Sequence, residues 1–488
     1  MSFPSWSARI ALALLVWSTT LGAQAGPGQA ETDLAERLFR SGERAYAART
    51  YTEAFETWGQ LLQQAPGSPF AAEALLRQAR HLAEVEAKPE QALPLLDRLR
   101  NDYIKTPSAP AGLLLRGEIL MARSRKPQDL KDAIAEFHRV VDLFPDHDAI
   151  QNAHYDLGIA FRDQGLWSEA QRHFTTLLGM DPRAPLAAKA GLEMAEIQDL
   201  LGDLPNCLKL LQGVRNHHPG SPEAQEAAWR IGLRVRHRLQ KPPLKSLGPW
   251  PEGKQKWLNT PTLLAFSPAG ELYVYLDDTQ LFRLKGTELT PVPPPAKGVR
   301  AVVFPGPWQI SSKVGWVKDE KTLLPLPPAL SPSGAVLDRW GTLWISDSKT
   351  GGLTLLSPEG AARTLPGPSL VALAALPLGG SVAASDANRT LLFLDNAGSA
   401  RITVPYGKDL PNPFRSVLAL ATDPVGDVAA LVDGDFEGLV LWGPDGALLR
   451  YATFKSLGIS GKFRGLALDR QGGILLADRS NDLIIRIE

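Results

Sequence analysis

Apolar residues recur at every third and fourth position over residues 31–240, which is the pattern of amphipathic helices. Five prolines, spaced 41, 38, 37 and 37 residues apart, each close an apolar segment: Pro66, Pro107, Pro145, Pro182 and Pro219. A period near this length is typical of stacked helix pairs, because one pair cannot bury its apolar face alone. We therefore predict an α-solenoid over residues 31–240, with about five helix pairs and a capping helix.

The residues inside each period resemble the tetratricopeptide repeat, in which small residues let two helices approach and larger apolar residues fill the space between them. The best copy, residues 151–182, carries Leu157, Gly158, Phe161, Ala170, Phe174 and Leu177 at the family's spacings. The resemblance implies that the first helix of each pair lines a groove for an extended peptide or a partner helix. By the family's register, the groove residues are Phe39, Glu43, Tyr46, Asn152, Tyr155, Arg162, Asp163, Lys189, Glu196 and Asp199.

Three features of the helical half have simpler interpretations. The polar groove residues have the alternative role of solvating an exposed helix face. Cys207 stands where the repeat has a small alanine, so we predict a buried thiol at a close helix contact. Four arginines of the capping helix, at positions 230, 234, 236 and 238, are interpreted as residues that keep its surface soluble.

A proline-rich segment, residues 241–257, breaks the helical pattern and is interpreted as a linker. Beyond it, short runs rich in Val, Leu, Ile and Trp alternate with clusters of Gly, Pro, Asp and Asn, as in strands and turns. Five times a glycine-containing turn leads into a short strand that ends in Asp, and a degenerate sixth copy lies around residues 301–317. Such a repeat predicts a six-bladed β-propeller over residues 258–488.

The repeated unit resembles the NHL type of propeller blade, most clearly over residues 465–487. Only three strands of the last blade precede Glu488, so we predict that residues 244–250 supply its outer strand and close the ring. The fold class expected for the chain is therefore multidomain α plus all-β, with an α-solenoid followed by a propeller.

The first thirty residues have the features of a secretory signal. Arg9 is their only charge, residues 10–16 are apolar, and Ala23 and Ala25 are small. We predict that residues 1–25 are removed by cleavage after Ala25 and that the protein is periplasmic or secreted. A retained membrane anchor is the alternative, and no other apolar run is long enough for a membrane span.

Charge and histidine placement limit the chemistry that the sequence supports. Lys plus Arg equals Asp plus Glu at 52 each, so no global field favours nucleic acid. All eight histidines precede residue 241, which leaves the propeller without His–Ser or His–Cys catalysis and without imidazole or thiolate ligands for zinc. We predict no cofactor and no metal.

The strands of the propeller repeat end in aspartates that could be mistaken for a site: Asp277, Asp347, Asp386, Asp433 and Asp478. We predict that they accept hydrogen bonds from backbone amides of the turns that follow. Residues 433–438 match the first half of a calcium loop, but Pro444 stands where the bidentate Glu is required.

These observations predict a non-catalytic, exported scaffold that binds a protein or peptide of the bacterial cell envelope through the helical groove and the propeller surface. Its oligomeric state does not follow from the sequence. One alternative is a propeller hydrolase or lyase with a divalent metal held by carboxylates in the central channel. Another is a small-ligand or glycan sensor that uses exposed tryptophans such as Trp308, Trp316, Trp340 or Trp344.

Overall fold

The computed structural model describes residues 27–123, 127–253, 255–285, 288–293, 296–304, 306–312, 315–317, 323–324, 326–327, 330–338, 341–347, 349, 351–357 and 361–488. The predicted export signal, residues 1–25, lies outside them. The chain divides into two compact units, residues 1–119 and 120–488. This division falls within a helix, whereas the change from helices to strands follows residue 240. The second unit therefore contains both helices and strands.

The first unit consists of paired helices. Its helices are α1 (Pro27–Ala47), α2 (Tyr51–Gln64), α3 (Pro69–Arg80), α4 (Pro89–Asp102) and α5 (Ala109–Arg123), which the division crosses; a π-helical turn, His81–Val85, continues α3. Helix α1 packs on α2, and α3 packs on α4. Gly42 faces the buried indole of Trp58, and any side chain at that position would overlap the ring. This contact of a small residue with a large one is what the repeat predicts.

The helices of the second unit continue the same pattern. They are α6 (Pro127–Leu143), α7 (Ala149–Asp163), α8 (Trp167–Met180), α9 (Pro185–Leu200), α10 (Leu204–His217) and α11 (Pro222–Arg234), followed by a π-helical turn, Val235–Gln240. Gly158 of α7 lies against Phe174 of α8, and a Cβ at Gly191 of α9 would lie 2.6 Å from Val214 of α10. In the described part of the chain, no helix has the length and apolarity needed to cross a bilayer.

The described strands form six antiparallel sheets of four strands each. The first three sheets are β2–β5 (Pro261–Phe266, Leu272–Leu276, Gln280–Lys285, Glu288–Pro291), β6–β9 (Val299–Val303, Trp308–Ser311, Gly315–Val317, Leu323–Leu324) and β10–β13 (Pro332–Leu337, Leu343–Asp347, Leu353–Leu356, Ala362–Leu365). The other three are β14–β17 (Ala372–Ala375, Ser381–Ser385, Thr390–Leu394, Ala400–Pro405), β18–β21 (Ser416–Thr422, Val428–Asp433, Gly438–Trp442, Leu448–Thr453) and β22–β24 (Phe463–Leu468, Ile474–Asp478, Leu483–Ile487) with β1 (Ser246–Pro249).

Strand β1 completes the last sheet, as the sequence predicts. It pairs antiparallel with β24, so the strand order is β1-β24-β23-β22. Lys245 and Glu488 also exchange two backbone hydrogen bonds, of 2.8 and 3.0 Å. The segment before the first sheet therefore covers the edge that the final strand would otherwise expose.

The six sheets form a ring with a β-propeller-like arrangement. Their first strands (β2, β6, β10, β14, β18 and β22) contact one another in succession and line one central cavity of about 1000 Å³, called here the channel. An apolar cluster fills the space between each pair of neighbouring sheets. Because both faces of a sheet are buried, central strands such as β3, β15 and β20 are buried along their whole length.

The ring has two faces that differ in what contacts them. The loops that join first to second strands and third to fourth strands emerge on one face, called here the helix side. Asn396 donates a 2.6 Å hydrogen bond to the carbonyl of Asp163, and Arg401 donates one of 3.1 Å to the carbonyl of Leu200. Loops that join second to third strands emerge on the opposite face, called here the mouth side.

Candidate functional site

Several charged residues are buried where α9, α11 and the second π-helical turn contact the helix side of the ring. Arg234 is fully buried, with its Nη2 2.6 Å from Glu196 Oε1 and its Nε 2.8 Å from Asp199 Oδ2. The two carboxylates hold the pKa of Arg234 above its usual value although burial opposes this. Arg230 reaches the same Glu196 oxygen at 2.7 Å. One helix is thereby locked to the other by charge.

The π-helical turn extends this contact to the sheets. Arg238 pairs with Asp199 of α9, and its Nη2 lies 2.7 Å from Oδ1 of Asp427, in the loop between β18 and β19. His237 Nδ1 lies 2.8 Å from Oδ2 of the same Asp427. We call this set the junction network: Glu196, Asp199, Arg230, Arg234, His237, Arg238, Asp423 and Asp427. It joins four parts of the second unit, namely α9, α11, the π-helical turn and the β18–β19 loop, through side chains of which Arg230 is the most exposed, at 20%.

Protonation balances the charge of the junction network. Burial, together with the negative charge of Asp427, raises the pKa of Asp423 well above its usual value. Burial also raises the pKa of Asp427, but the hydrogen bond from His237 and the charge of Arg238 outweigh it and lower that pKa. With Asp423 protonated, Arg230, Arg234 and Arg238 face the three carboxylates of Glu196, Asp199 and Asp427. A balanced set of this kind avoids the large cost of an unpaired buried charge.

The structure therefore corrects the interpretation of the arginines in the capping helix. Arg234 is fully buried and Arg238 nearly so, whereas Arg236 is one-third exposed and lies 3.6 Å from Glu488. Two of the four arginines thus serve the interior rather than solubility. The acidic partners lie 35 or more residues away in sequence, so the helical spacing of the arginines alone does not reveal them.

His237, Asp423 and Asp427 are the three described residues whose ligand atoms lie within 4.8 Å of one another, close enough to hold a metal ion. Asp423 Oδ1 is committed to the backbone amides of Val425 and Asp427, at 3.0 and 2.9 Å. Asp427 Oδ1 is committed to Arg238. The other oxygen, Asp423 Oδ2, is buried without a hydrogen-bond partner among the described residues and lies 3.9 Å from His237 Nδ1. These three residues do not line the channel. The alternative of a propeller hydrolase, in contrast, places its metal inside the channel.

The predicted groove residues fall into two sets in the second unit. Glu196 and Asp199 lie in the junction network, 6% and 1% exposed, so they serve an internal contact. Asp163 is also buried and pairs with Arg162, which in turn reaches Glu193 of α9. The remaining three stay a prediction: Asn152 and Tyr155 are half-buried on α7, and Lys189 is exposed on α9.

In the first unit, two of the three predicted groove residues, Phe39 and Tyr46, belong to an aromatic cluster. Phe39 stacks on Trp58 with ring centroids 6.5 Å apart and contacts Phe70. The Tyr46 hydroxyl lies 3.2 Å from His81 Nδ1, and Glu43 lies 3.6 Å from Arg77. All three predicted residues are half-buried. That these three residues contact a partner stays a prediction; in the structure they contact neighbouring side chains of the same unit.

Two of the five strand-end aspartates, Asp347 and Asp478, stabilise the turns that follow, as predicted, whereas Asp277 accepts from the hydroxyl of Thr260 at 3.1 Å. Asp478 Oδ1 accepts from the amide of Ser480 at 3.0 Å, and Asp347 Oδ1 accepts from the amide of Lys349 at 2.8 Å. Asp386 accepts from the amide of Val417, at the start of the next sheet. In these positions the carboxylates stabilise turns and sheet contacts. In the calcium-like segment, Asp435 pairs with Arg415 at 2.7 Å.

Two predictions about individual side chains have clear outcomes. Cys207 is fully buried, and burial raises the pKa of its thiol to about 12, which confirms the structural interpretation. Trp344 is buried and donates to Asp338 at 3.0 Å, which favours packing over ligand binding there. Trp340 and the side chain of Trp316 lie outside the described part of the chain.

Comparison with known proteins identifies one repeat. Residues 155–206, from α7 to the start of α10, match the tetratricopeptide repeat family. Among solved structures, a streptogramin B lyase is 12% identical and covers 50% of this chain and 97% of its own, with a TM-score of 0.36. YrrB, a TPR protein with an unusual peptide-binding site, is 15% identical over 40% of this chain and 91% of its own, with a TM-score of 0.31. PilW, a type IV pilus biogenesis factor, is 18% identical over 40% and 82%, with a TM-score of 0.32. No curated protein sequence matches the chain.

Proposed function

We propose that the chain is an exported, non-catalytic scaffold of the bacterial cell envelope. Residues 1–25 are its export signal, residues 31–240 a tetratricopeptide domain, residues 241–257 the linker with its closing strand, and residues 258–488 a six-bladed propeller of the NHL type. The domains bind protein partners through the helical groove and the propeller surface. The junction network supports this proposal most directly, because it holds α9 and α11 of the second unit against the loop between β18 and β19.

A fixed connection matters for a scaffold because it sets the distance between two bound partners. With a flexible linker, the distance between the two binding sites would vary widely. With a rigid connection, that distance stays close to one value. The ion pairs of Arg238 with α9 and with the β18–β19 loop provide such rigidity within the second unit. Breaking a buried pair of this kind is costly.

Lys189 and Lys209 offer a matched pair of positions for a test in cells. Both are exposed, but Lys189 lies on α9, the first helix of its pair, and Lys209 lies on α10, the second. A photo-crosslinking amino acid at position 189 should capture a defined envelope protein, while the same residue at position 209 should not. Equal capture at both positions, or none at either, would contradict the groove.

Export is tested separately with a reporter that is active only outside the cytoplasm, fused after Gly26. We expect an active reporter, and deletion of residues 10–16 should abolish its activity because the apolar core of the signal is lost. A reporter that stays inactive in the intact fusion contradicts export and leaves the binding role standing.

The alternative of a metal-dependent hydrolase or lyase makes a different prediction. It requires a tightly bound divalent cation in the channel, whose lining includes the carboxylate of Asp278. Metal analysis of protein purified without chelators distinguishes the two. Stoichiometric metal that is lost in Asp278→Asn would favour the enzyme.

A further inference from the structure

A β-bulge occurs at the same level in the first strand of every sheet. The pairing register shifts by one residue near the start of β2, β6, β10, β18 and β22. In the fourth sheet the amide of Val371 bonds to Ala384, which also pairs with Ala372, so two residues again oppose one. The extra residues are Thr262, Arg300, Ser333, Val371, Leu418 and Arg464, and all six line the channel.

Bulges re-aim side chains and are frequent beside functional sites. Here each bulge adds one side chain to a ring around the channel at its mouth side. We call these six residues the bulge ring. The bulges recur although the residues differ, so the backbone presents six side chains of different chemistry at one level of the channel.

The bulge ring has a cationic half and an apolar half. The strands follow one another around the channel in the order β22, β2, β6, β10, β14, β18. Arg464, Thr262 and Arg300 therefore occupy three consecutive positions, and Val371 and Leu418 lie across the channel from them. Ser333 lies between Arg300 and Val371, and its hydroxyl donates a hydrogen bond of 2.6 Å to the carbonyl of Leu370.

A third arginine strengthens the cationic half. Arg479 follows β23 in the same sheet as Arg464 and also lines the channel. Arg300, Arg464 and Arg479 are all exposed, and none has a carboxylate within ion-pair distance among the described residues. Among the described residues that line the channel, Asp278 is the one acidic residue against these three arginines, so the described lining carries net positive charge. A cleft lined by one sign of charge concentrates ligands of the opposite sign.

We propose that the channel mouth binds a small amphipathic anion. Its carboxylate or phosphate group pairs with Arg300, Arg464 and Arg479, because guanidinium groups match the geometry of these anions. Its apolar body lies against Val371 and Leu418. The cavity of about 1000 Å³ has the size of a small-molecule site. This binding is independent of the scaffold role proposed above.

Calorimetric titration of the full chain tests the proposal with three probes: octanoate, octyl phosphate and inorganic phosphate. We expect one or both alkyl anions to bind at millimolar concentration or below, and more tightly than inorganic phosphate. Binding should weaken with added salt, because charge pairs at an exposed mouth are screened. The stronger of the two alkyl probes identifies the head group.

Substitutions then assign the halves of the ring. Arg300→Gln and Arg464→Gln should each weaken the alkyl anion about tenfold, as expected for loss of a charge-assisted hydrogen bond. Leu418→Ser should weaken the alkyl anion but leave inorganic phosphate unchanged. Arg415→Gln is the control, because Arg415 lies on the same face but pairs with Asp435 outside the channel lining.

Three results would overturn the proposal. They are no detectable binding of either alkyl anion, equal binding of octanol in place of octanoate, and arginine variants that bind as tightly as the control. Because the arginines are exposed, we expect the variants to fold. Thermal unfolding of each variant verifies this, and Arg464→Lys should retain part of the affinity by keeping the charge.

Discussion

Replacing Arg238 with Met removes one guanidinium from the junction network and keeps most of the side-chain volume. Arg238 is 7% exposed, and its partners Asp199 and Asp427 are 1% and 0% exposed. Loss of one partner from a buried pair costs about 3–5 kcal/mol, because the other charge stays buried. Asp199 keeps its pairing with Arg234, and Asp427 keeps its contact with His237, so we expect a loss of about 3 kcal/mol in the free energy of unfolding.

Guanidinium unfolding of the full chain, followed by circular dichroism and tryptophan fluorescence, measures this loss. Arg236→Met is the matched control, because Arg236 lies in the same turn but is one-third exposed and should change the free energy by less than about 1 kcal/mol. Adding Asp427→Asn to Arg238→Met removes the stranded charge and should recover about 1 kcal/mol or more. If Arg238→Met is no more destabilising than Arg236→Met, the junction network does not hold the helices to the sheets.

Three further outcomes test the packing of the second unit. Gly158→Ala places a methyl group about 2.4 Å from Cε1 of Phe174 and should destabilise the protein by about 1–3 kcal/mol in chemical unfolding, whereas Gly179→Ala, which meets nothing within 4 Å, should not. Burial lowers the pKa of His173 to about 3, so the folded state disfavours its charged form. Stability should therefore be complete above the unfolded pKa of about 6.5 and fall as pH drops toward 3, and His173→Phe should flatten this acid limb in unfolding midpoints measured against pH. Deleting residues 481–488 removes β24, which pairs with both β1 and β23, and should abolish the cooperative thermal transition of the sheets; a retained transition would show that the ring does not need closure.

Local patterns in the sequence predict the parts of this fold that depend on period and residue size. The small residues of the repeat mark close helix contacts, and Cys207 lies at one of them, fully buried. The closing strand also follows from sequence, because three strands in the last repeat leave one place to fill. In both cases the signal is carried by residues near one another in the chain.

The junction network could not be predicted in this way. Asp199 and Arg234 are 35 residues apart, and Arg238 and Asp427 are 189 apart, so nothing local relates them. Arginines at helical spacing have the same pattern whether they face solvent or a buried carboxylate. Asp427 closes a loop that was predicted only as a turn, and no sequence feature shows that its side chain faces a histidine.

The bulge ring escapes sequence analysis for a different reason. A bulge inserts one extra residue into a strand. The alternation of apolar and polar residues in a sequence does not locate a strand's register to better than about one residue, so the bulge leaves no clear signal. Arg300 and Arg464 therefore look like ordinary exposed positions of their strands. Their common level around the channel becomes visible only when the pairing of all six sheets is known.

Native-state hydrogen exchange, read by mass spectrometry at increasing denaturant, tests most directly whether the helices and sheets of the second unit act as one platform. The account predicts that amides of α11 and of β19 exchange through the same opening reaction, with similar free energies and similar dependence on denaturant. Arg238→Met should separate the two. If, in the unaltered protein, the free energy of opening is several kcal/mol lower for α11 than for β19, the helices of the second unit are not fixed to the sheets. The scaffold proposal then loses its physical basis.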